Sequence, residues 1–133
     1  MRQKNVVLDA SAVLAWIQGE PGSEIVESHL AEGCVLGTTN LAEVIGKLVD
    51  NQHSNPDKIG ELLRNLGINL LPLSEEQAVA AGLLRKTTRT KGLSLGDRAC
   101  LALAKHLNAE VLTADSEWLK LDLEIPITHI RNK

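Results

Sequence analysis

Short apolar runs alternate along this chain with segments of helical period, and no other feature narrows its fold so far. Residues 6–8, 34–38, 68–73, 110–113 and 125–128 read as strands, rich in Val, Ile and Leu and bounded by charged or turn residues. Residues 11–18 and 23–31 read as helices, separated by the break at 19–22. Asn40 is expected to cap a third helix. Its Leu41, Val44, Ile45, Leu48 and Val49 fall at i, i+3, i+4, i+7 and i+8, a stripe facing the core. Beyond a loop at 51–56, Ile59, Leu62, Leu63 and Leu66 repeat the pattern, so the two segments read as a helical hairpin. Ser74 and Gln77 have capping-box spacing at the start of the next helix. Residues 87–93 read as a polar loop, and residues 97–107 as a helix apolar nearly all round and therefore buried. Strands alternating with helices predict an α/β fold, a parallel sheet with helices on both faces. A length of 133 residues fits one domain over 1–133.

Four acidic residues each follow an apolar run and open a helical pattern: Asp9 in VVLDASAVL, Glu43 in TTNLAEVIG, Asp97 in LSLGDRACLALA and Asp115 in VLTADSEW. The carboxyl ends of parallel strands share one edge of a sheet, so acids far apart in sequence can meet there. Taken singly, each has a simpler reading as a carboxylate favoured in the first turn of a helix. Glu43 lies three residues after Asn40 and Asp97 three after Ser94, at capping-box spacing, while Asp9 and Asp115 could be N-caps. Taken together they favour a site. Asp9 and Asp115 follow, or nearly follow, the two strands with the most buried-looking sequences, and Asp97 opens the most buried helix, where an unpaired charge is costly. Converging carboxylates raise one another's pKa unless cations hold them, and all-oxygen ligand sets suit hard divalent ions.

These motifs resemble a PIN-domain ribonuclease. In its small size the chain is most similar to the VapC-type toxins of bacterial and archaeal toxin–antitoxin pairs. The resemblance rests on LDASA around Asp9, TNLAEV around Glu43, LSLGDRACLALA around Asp97 and LTADSEW around Asp115. No one of these is specific; the four in order are, and they cover essentially the whole chain. The resemblance implies a three-layer fold, a five-stranded parallel sheet flanked by helices, with the acids at its C-terminal edge. It implies a metal-dependent endoribonuclease that hydrolyses RNA phosphodiester bonds, the toxin of a type II pair, cytoplasmic and homodimeric, with a cognate antitoxin protein as partner. The four acids are then catalytic. Asp9, Asp97 and Asp115 would hold Mg²⁺ or Mn²⁺, and Glu43 would do so directly or through water. Such an ion activates water for in-line attack, and a second, where present, stabilises the leaving oxygen.

Contacts to substrate are read from chemistry beside the acids. Ser11 and Thr113 carry hydroxyls that can bond either a carboxylate or the scissile phosphate, and capping or strand-end satisfaction explains them equally well. From Arg85 to Arg98 the chain holds Arg85, Lys86, Arg89, Lys91 and Arg98 against the one acid Asp97. Arg89, Lys91 and Arg98 are therefore candidates for phosphate contacts that supply affinity without sequence information. The alternative is that Arg85 and Lys86 complement a helix C-terminus and the rest are solvated. With no Phe or Tyr and only Trp16 and Trp118, an aromatic platform for single strands is not expected; Trp118 is expected to pack.

Other functions lose support on the same grounds. The net charge of −3 excludes a generally basic nucleic-acid binder, and no run approaches the ~20 apolar residues of a membrane span. Arg2 and Lys4 before VVLDASAVLAWI imitate a secretory leader, but Asp9 interrupts the apolar stretch, so export is not expected. Cys34 and Cys100 sit in apolar runs, as reduced buried thiols do. His29, His53, His106 and His129 lack ligand spacing. A receiver domain needs adjacent acids after its first strand and an Asp after its third, where this chain has Leu8-Asp9-Ala10 and Leu71-Pro72-Leu73. A dehalogenase-like phosphatase needs Asp-x-Asp, where it has Asp9-Ala10-Ser11. A non-cleaving RNA-binding relative is the remaining rival, and the four acids weigh against it.

Overall fold

The computed structural model describes residues 6–131. Its strands are β1 (Val6–Leu8), β2 (Cys34–Gly37), β3 (Ile68–Leu71), β4 (Glu110–Thr113) and β5 (Ile127–His129). They form one all-parallel sheet in the order β3-β2-β1-β4-β5. The helices are α1 (Ala10–Ile17), α2 (Ser23–Leu30), α3 (Thr38–Asp50), α4 (Ile59–Asn65), α5 (Glu75–Leu83), α6 (Arg85–Thr88) and α7 (Leu95–Leu107). Single 3₁₀ turns occupy Pro56–Lys58, Arg89–Lys91 and Ser116–Lys120.

Side chains alternate across a strand, and here both faces are covered, which is why β1 is apolar at every position. Val6, Leu8, Leu36 and Leu112 face one layer, where they meet Ala12 and Val13 of α1, Val26 of α2, Val44 and Leu48 of α3 and Leu63 of α4. Val7, Val35 and Val111 face the other, packed on Cys100, Leu101 and Leu103 of α7 and on Trp118. α5 lies outside α7 on that side. The result is the expected three-layer α/β fold with a five-stranded parallel sheet.

Strand order fixes where a ligand can sit. The chain steps outward from β1 to β2 to β3, then returns to lay β4 on the opposite flank of β1. Connections after β1 and β4 therefore leave in opposite directions, and a crevice opens between their carboxyl ends. The register Leu8↔Leu112, continued by the Asp9 N–H donating to Leu112 O at 3.1 Å, sets Asp9 and Thr113 side by side at that crevice.

Several local expectations are corrected. Asn40 is not a cap: α3 already begins at Thr38, so Asn40 lies in its first turn and is buried. Consequently β2 ends at Gly37, one residue short of the expected 34–38. β3 stops at Leu71, before Pro72, and β5 runs over Ile127–His129 instead of 125–128. The expected polar loop at 87–93 is instead the end of α6 and a 3₁₀ turn. The expected hairpin is loose, because α4 packs along the edge strand β3 and meets α3 through the Pro56–Lys58 turn. Val49, Leu62 and Leu66 are exposed, so the apolar stripe of these two helices is wider than the core needs. Arg2 and Lys4, on which the leader-like reading rests, lie outside the described residues. Among the described residues, no helix is long and apolar enough to cross a membrane.

Candidate active site

Asp9 stands where β1 turns into α1, and its position follows from capping. One oxygen accepts the Ala12 N–H at 2.8 Å, which closes the first turn of α1. Ser11 Oγ donates to the same carboxylate at 2.7 and 2.9 Å, and Thr113 Oγ1 donates to its Oδ2 at 2.7 Å. Each hydroxyl has one proton to give, and both are spent on Asp9. As acceptors they serve the chain just after β4: Ala114 N–H donates to Ser11 Oγ at 2.9 Å, and Asp115 N–H to Thr113 Oγ1 at 3.0 Å. Of the two roles open to Ser11 and Thr113, the structure realises the one on the carboxylate. These bonds lace the two strand ends across the crevice.

Asp9 is buried, and burial pushes its carboxyl up from 3.8 to about 6. The bonds from Thr113, Ala12 and Ser11 oppose that rise, and the nearby charge of Asp97 adds to it.

Asp97 and Glu43 approach from the two helical layers. Asp97 is the third residue of α7 and closes a reciprocal capping box: its N–H donates to Ser94 Oγ at 3.1 Å, and Ser94 N–H donates to its Oδ2 at 3.0 Å. Glu43 is held by Asn40, whose amide nitrogen donates to Glu43 Oε1 at 2.8 Å and to Gly96 O at 3.0 Å. Asn40 thus ties α3 to the residue before Asp97. Gly96 lies against Glu43 so closely that a methyl group there would overlap its carboxylate. Asn40 and Gly96 are positioning residues that sequence reasoning missed. The signal in sequence is TNLAE, where Asn40 stands three residues before Glu43, a spacing that a helix cap explains equally well.

Cys100 lies on α7 with its Sγ 3.9 Å from Leu8 O, one residue before Asp9. Burial pushes its thiol well above the usual range, and the charges of Asp9, Asp97 and Glu43 push it further. Asn40 and Gly96 hold Glu43 against the residue before Asp97, and the charge of Asp97 is felt at Asp9. Asp115 is exposed, and its carboxylate caps the 3₁₀ turn by accepting from Glu117 N–H at 3.0 Å. It reaches the site through its backbone bond to Thr113 and lines, with Ser11, the groove that leads away from Asp9.

Among the described residues, the ion pairs are Lys120–Glu117 and Arg131–Glu20, so none neutralises the four acids. Nor do any three His, Cys, Asp or Glu side chains among them stand as a ready metal cage. Mg²⁺ does not require one, because it takes one or two protein carboxylates and fills the rest of its shell with waters and substrate phosphates. A carboxylate raised by burial, with a like charge adding to the rise and no ion-pair partner among the described residues, is a donor set that suits such an ion.

The basic candidates divide. Arg89 and Lys91 are exposed on their 3₁₀ turn. Arg98 is corrected: it is buried between α7 and α5 and donates to Ala81 O at 3.0 Å, so it cannot reach a substrate phosphate. Trp118 is buried in the core beside Cys100, which removes it as a base-stacking surface. Cys34 and Cys100 are free buried thiols, as expected.

No curated protein sequence matches this chain. Several solved structures share its fold. VapBC-1 from nontypeable Haemophilus influenzae matches with a TM-score of 0.73 at 16% identity, covering 96% of this chain and 99% of that one. FitAcB from Neisseria gonorrhoeae matches with a TM-score of 0.72 at 18% identity, over 96% and 99%. VapBC2 from Rickettsia felis, bound to a DNA fragment from its promoter, matches with a TM-score of 0.71 at 17% identity, over 93% and 97%. The family model for the PIN domain matches residues 6–123, which takes in the crevice and all four acids, and the chain belongs to that family.

Proposed function

We propose that this protein is a metal-dependent endoribonuclease that hydrolyses RNA phosphodiester bonds, the toxin of a type II toxin–antitoxin pair. The observation that carries the reading is the approach of Asp9, Glu43 and Asp97 at the switch point of a PIN-domain sheet, with no ion pair to any of them among the described residues. Asp9 and Asp97 are assigned as metal ligands, Glu43 and Asp115 as acids that complete the shell directly or through water, and all four as catalytic. Mg²⁺ or Mn²⁺ bound there would activate water and offset charge on the phosphate. The chain's own residues do the positioning. Ser11 and Thr113 fix both oxygens of Asp9, Ser94 fixes Asp97, and Asn40 with Gly96 fixes Glu43. Arg89 and Lys91 are assigned to outlying phosphates.

Toxin–antitoxin assemblies recur among the structures that share this fold, including a toxin–antitoxin complex from Klebsiella pneumoniae. That supports a cognate antitoxin as partner. Exposed Val49 and Leu62 on α3 and α4 supply apolar surface for it or for a homodimer.

The test is cleavage of a mixed cellular RNA pool with Mg²⁺ or Mn²⁺, beside EDTA and an identically purified Asp97→Asn variant. Discrete fragments that vanish in both controls are expected. Cleavage that persists in the variant would overturn the assignment.

A further inference from the structure

A groove of ≈ 320 Å³ runs between α1 and α3, lined at one end by Asp115 and by Ser11, the hydroxyl that bonds Asp9. Its walls follow helical period. Ser11, Leu14 and Gln18 lie on one face of α1, and Lys47 and Asn51 continue the face of α3 that carries Glu43. Asp115 lines the end nearest the site, and Glu20 with Arg131 the other.

The charges in this groove are not equivalent. Glu20 is paired with Arg131 at 3.3 Å. Lys47 stands four residues after Glu43, the spacing at which the two would ordinarily pair along a helix. Glu43 is instead held inward by Asn40 and lies against Gly96. Lys47 makes no ion pair within 4.0 Å among the described residues, so its ammonium is left on the groove wall with the neutral donors Gln18 and Asn51. From Glu43 to Asn51 the wall spans about 12 Å at ~1.5 Å per residue. A free cation followed by two amides, leading straight out of a carboxylate site, is what a nucleic-acid backbone requires after the phosphate under attack. An ammonium supplies affinity for phosphate without reading sequence.

We infer that Lys47, Gln18 and Asn51 form a subsite for a backbone phosphate of the RNA strand flanking the scissile bond. The strand leaves the acids between α1 and α3. This rests on the ribonuclease reading above and adds the path the substrate takes. It also moves the principal phosphate contact away from the basic stretch of Arg85 to Arg98, whose last residue is buried in α7.

The test measures binding of a single-stranded RNA across a salt series, in the full chain carrying Asp97→Asn so that the RNA is not consumed. Added Lys47→Ala should weaken binding at low salt and make the log–log salt slope shallower by about 0.7, the value of one single-strand phosphate contact. Lys47→Arg should restore the slope. Lys105→Ala, at the far end of α7, should leave it unchanged. In the otherwise native chain, Lys47→Ala should raise KM for RNA cleavage with kcat retained, the signature of lost uniform binding. An unchanged slope for Lys47→Ala, in a protein that binds and cleaves RNA, would overturn the subsite alone and leave the groove to a protein partner. Failure of the native chain to bind or cleave any RNA would overturn the ribonuclease reading, and the subsite with it.

Discussion

Asp9 is where the electrostatics of the site can be measured. Burial pushes its carboxyl from the usual 3.8 up to about 6 in the folded protein. Between those values the native state keeps the proton and the unfolded chain has released it, so stability falls as pH rises through the window. A gap of about 2 at ~1.36 kcal/mol each corresponds to about 3 kcal/mol, present below pH 4 and lost by about pH 6. Urea unfolding from pH 4 to 7 in EDTA should show that decline in the native chain and a much flatter profile in Asp9→Asn. The hydrogen bonds from its three donors, Ser11, Ala12 and Thr113, already limit the rise; without them the deficit would be larger. Equal slopes in the two proteins would mean that Asp9 ionises as freely as a surface carboxylate. The identity of such a residue is legible in sequence, since an acid after a buried strand is conspicuous. Its two hydroxyl partners are legible only in part. Ser11 is two residues away, whereas Thr113 comes from a strand that only the sheet order makes adjacent.

Helix starts carry this site, and that is the reason its acids have two readings at once. Asp9 caps α1, Asp97 completes the box at the start of α7, and Asp115 caps a 3₁₀ turn. Structural and functional explanations are not rivals here, because the cap is what aims the carboxylate. Ser94 makes the distinction testable. Ser94→Ala should cost about 1 kcal/mol of stability through the lost cap, and it should also lower kcat by releasing Asp97 from its fixed orientation. Ser74→Ala removes the equivalent cap from α5, where Ser74 Oγ accepts from Gln77 N–H at 3.1 Å, and should cost similar stability with cleavage intact. Equal loss of kcat in both would reduce the box to a stability element. The same logic explains what the chain's pattern concealed. Asn40 has the composition of a cap, but its acceptors are Glu43 and a carbonyl 56 residues away, so only the packing of α3 on α7 reveals it. Arg98 looks like a surface charge until α5 covers it.

At the scale of the whole molecule, the sheet order brings Asp9 toward Glu43 and Asp97, and no ion pair among the described residues offsets their charge. Alternation in the sequence was enough to give the layers, because strands buried on both faces must be apolar throughout. It could not show how closely the acids approach, which depends on where Gly96 lets α3 and α7 meet. The consequence is a linkage between metal and stability. Asp97→Asn removes the like charge beside Asp9, so in EDTA its Tm should exceed that of the native chain. Addition of Mg²⁺ or Mn²⁺ should then reverse the order. At a hundredfold excess over Kd, a ligand that binds only the folded state adds about 2.7 kcal/mol, several degrees of Tm in a chain of this size. The variant, which has lost a ligand, should gain much less. Thermal melts of both proteins, with EDTA and across a metal titration, read the two effects separately. A native Tm that ignores metal while Asp97→Asn still stabilises would keep the repulsion and remove the ion. A variant no more stable than the native chain in EDTA would mean that Asp97 contributes more as the cap of α7 than it costs as a neighbour of Asp9.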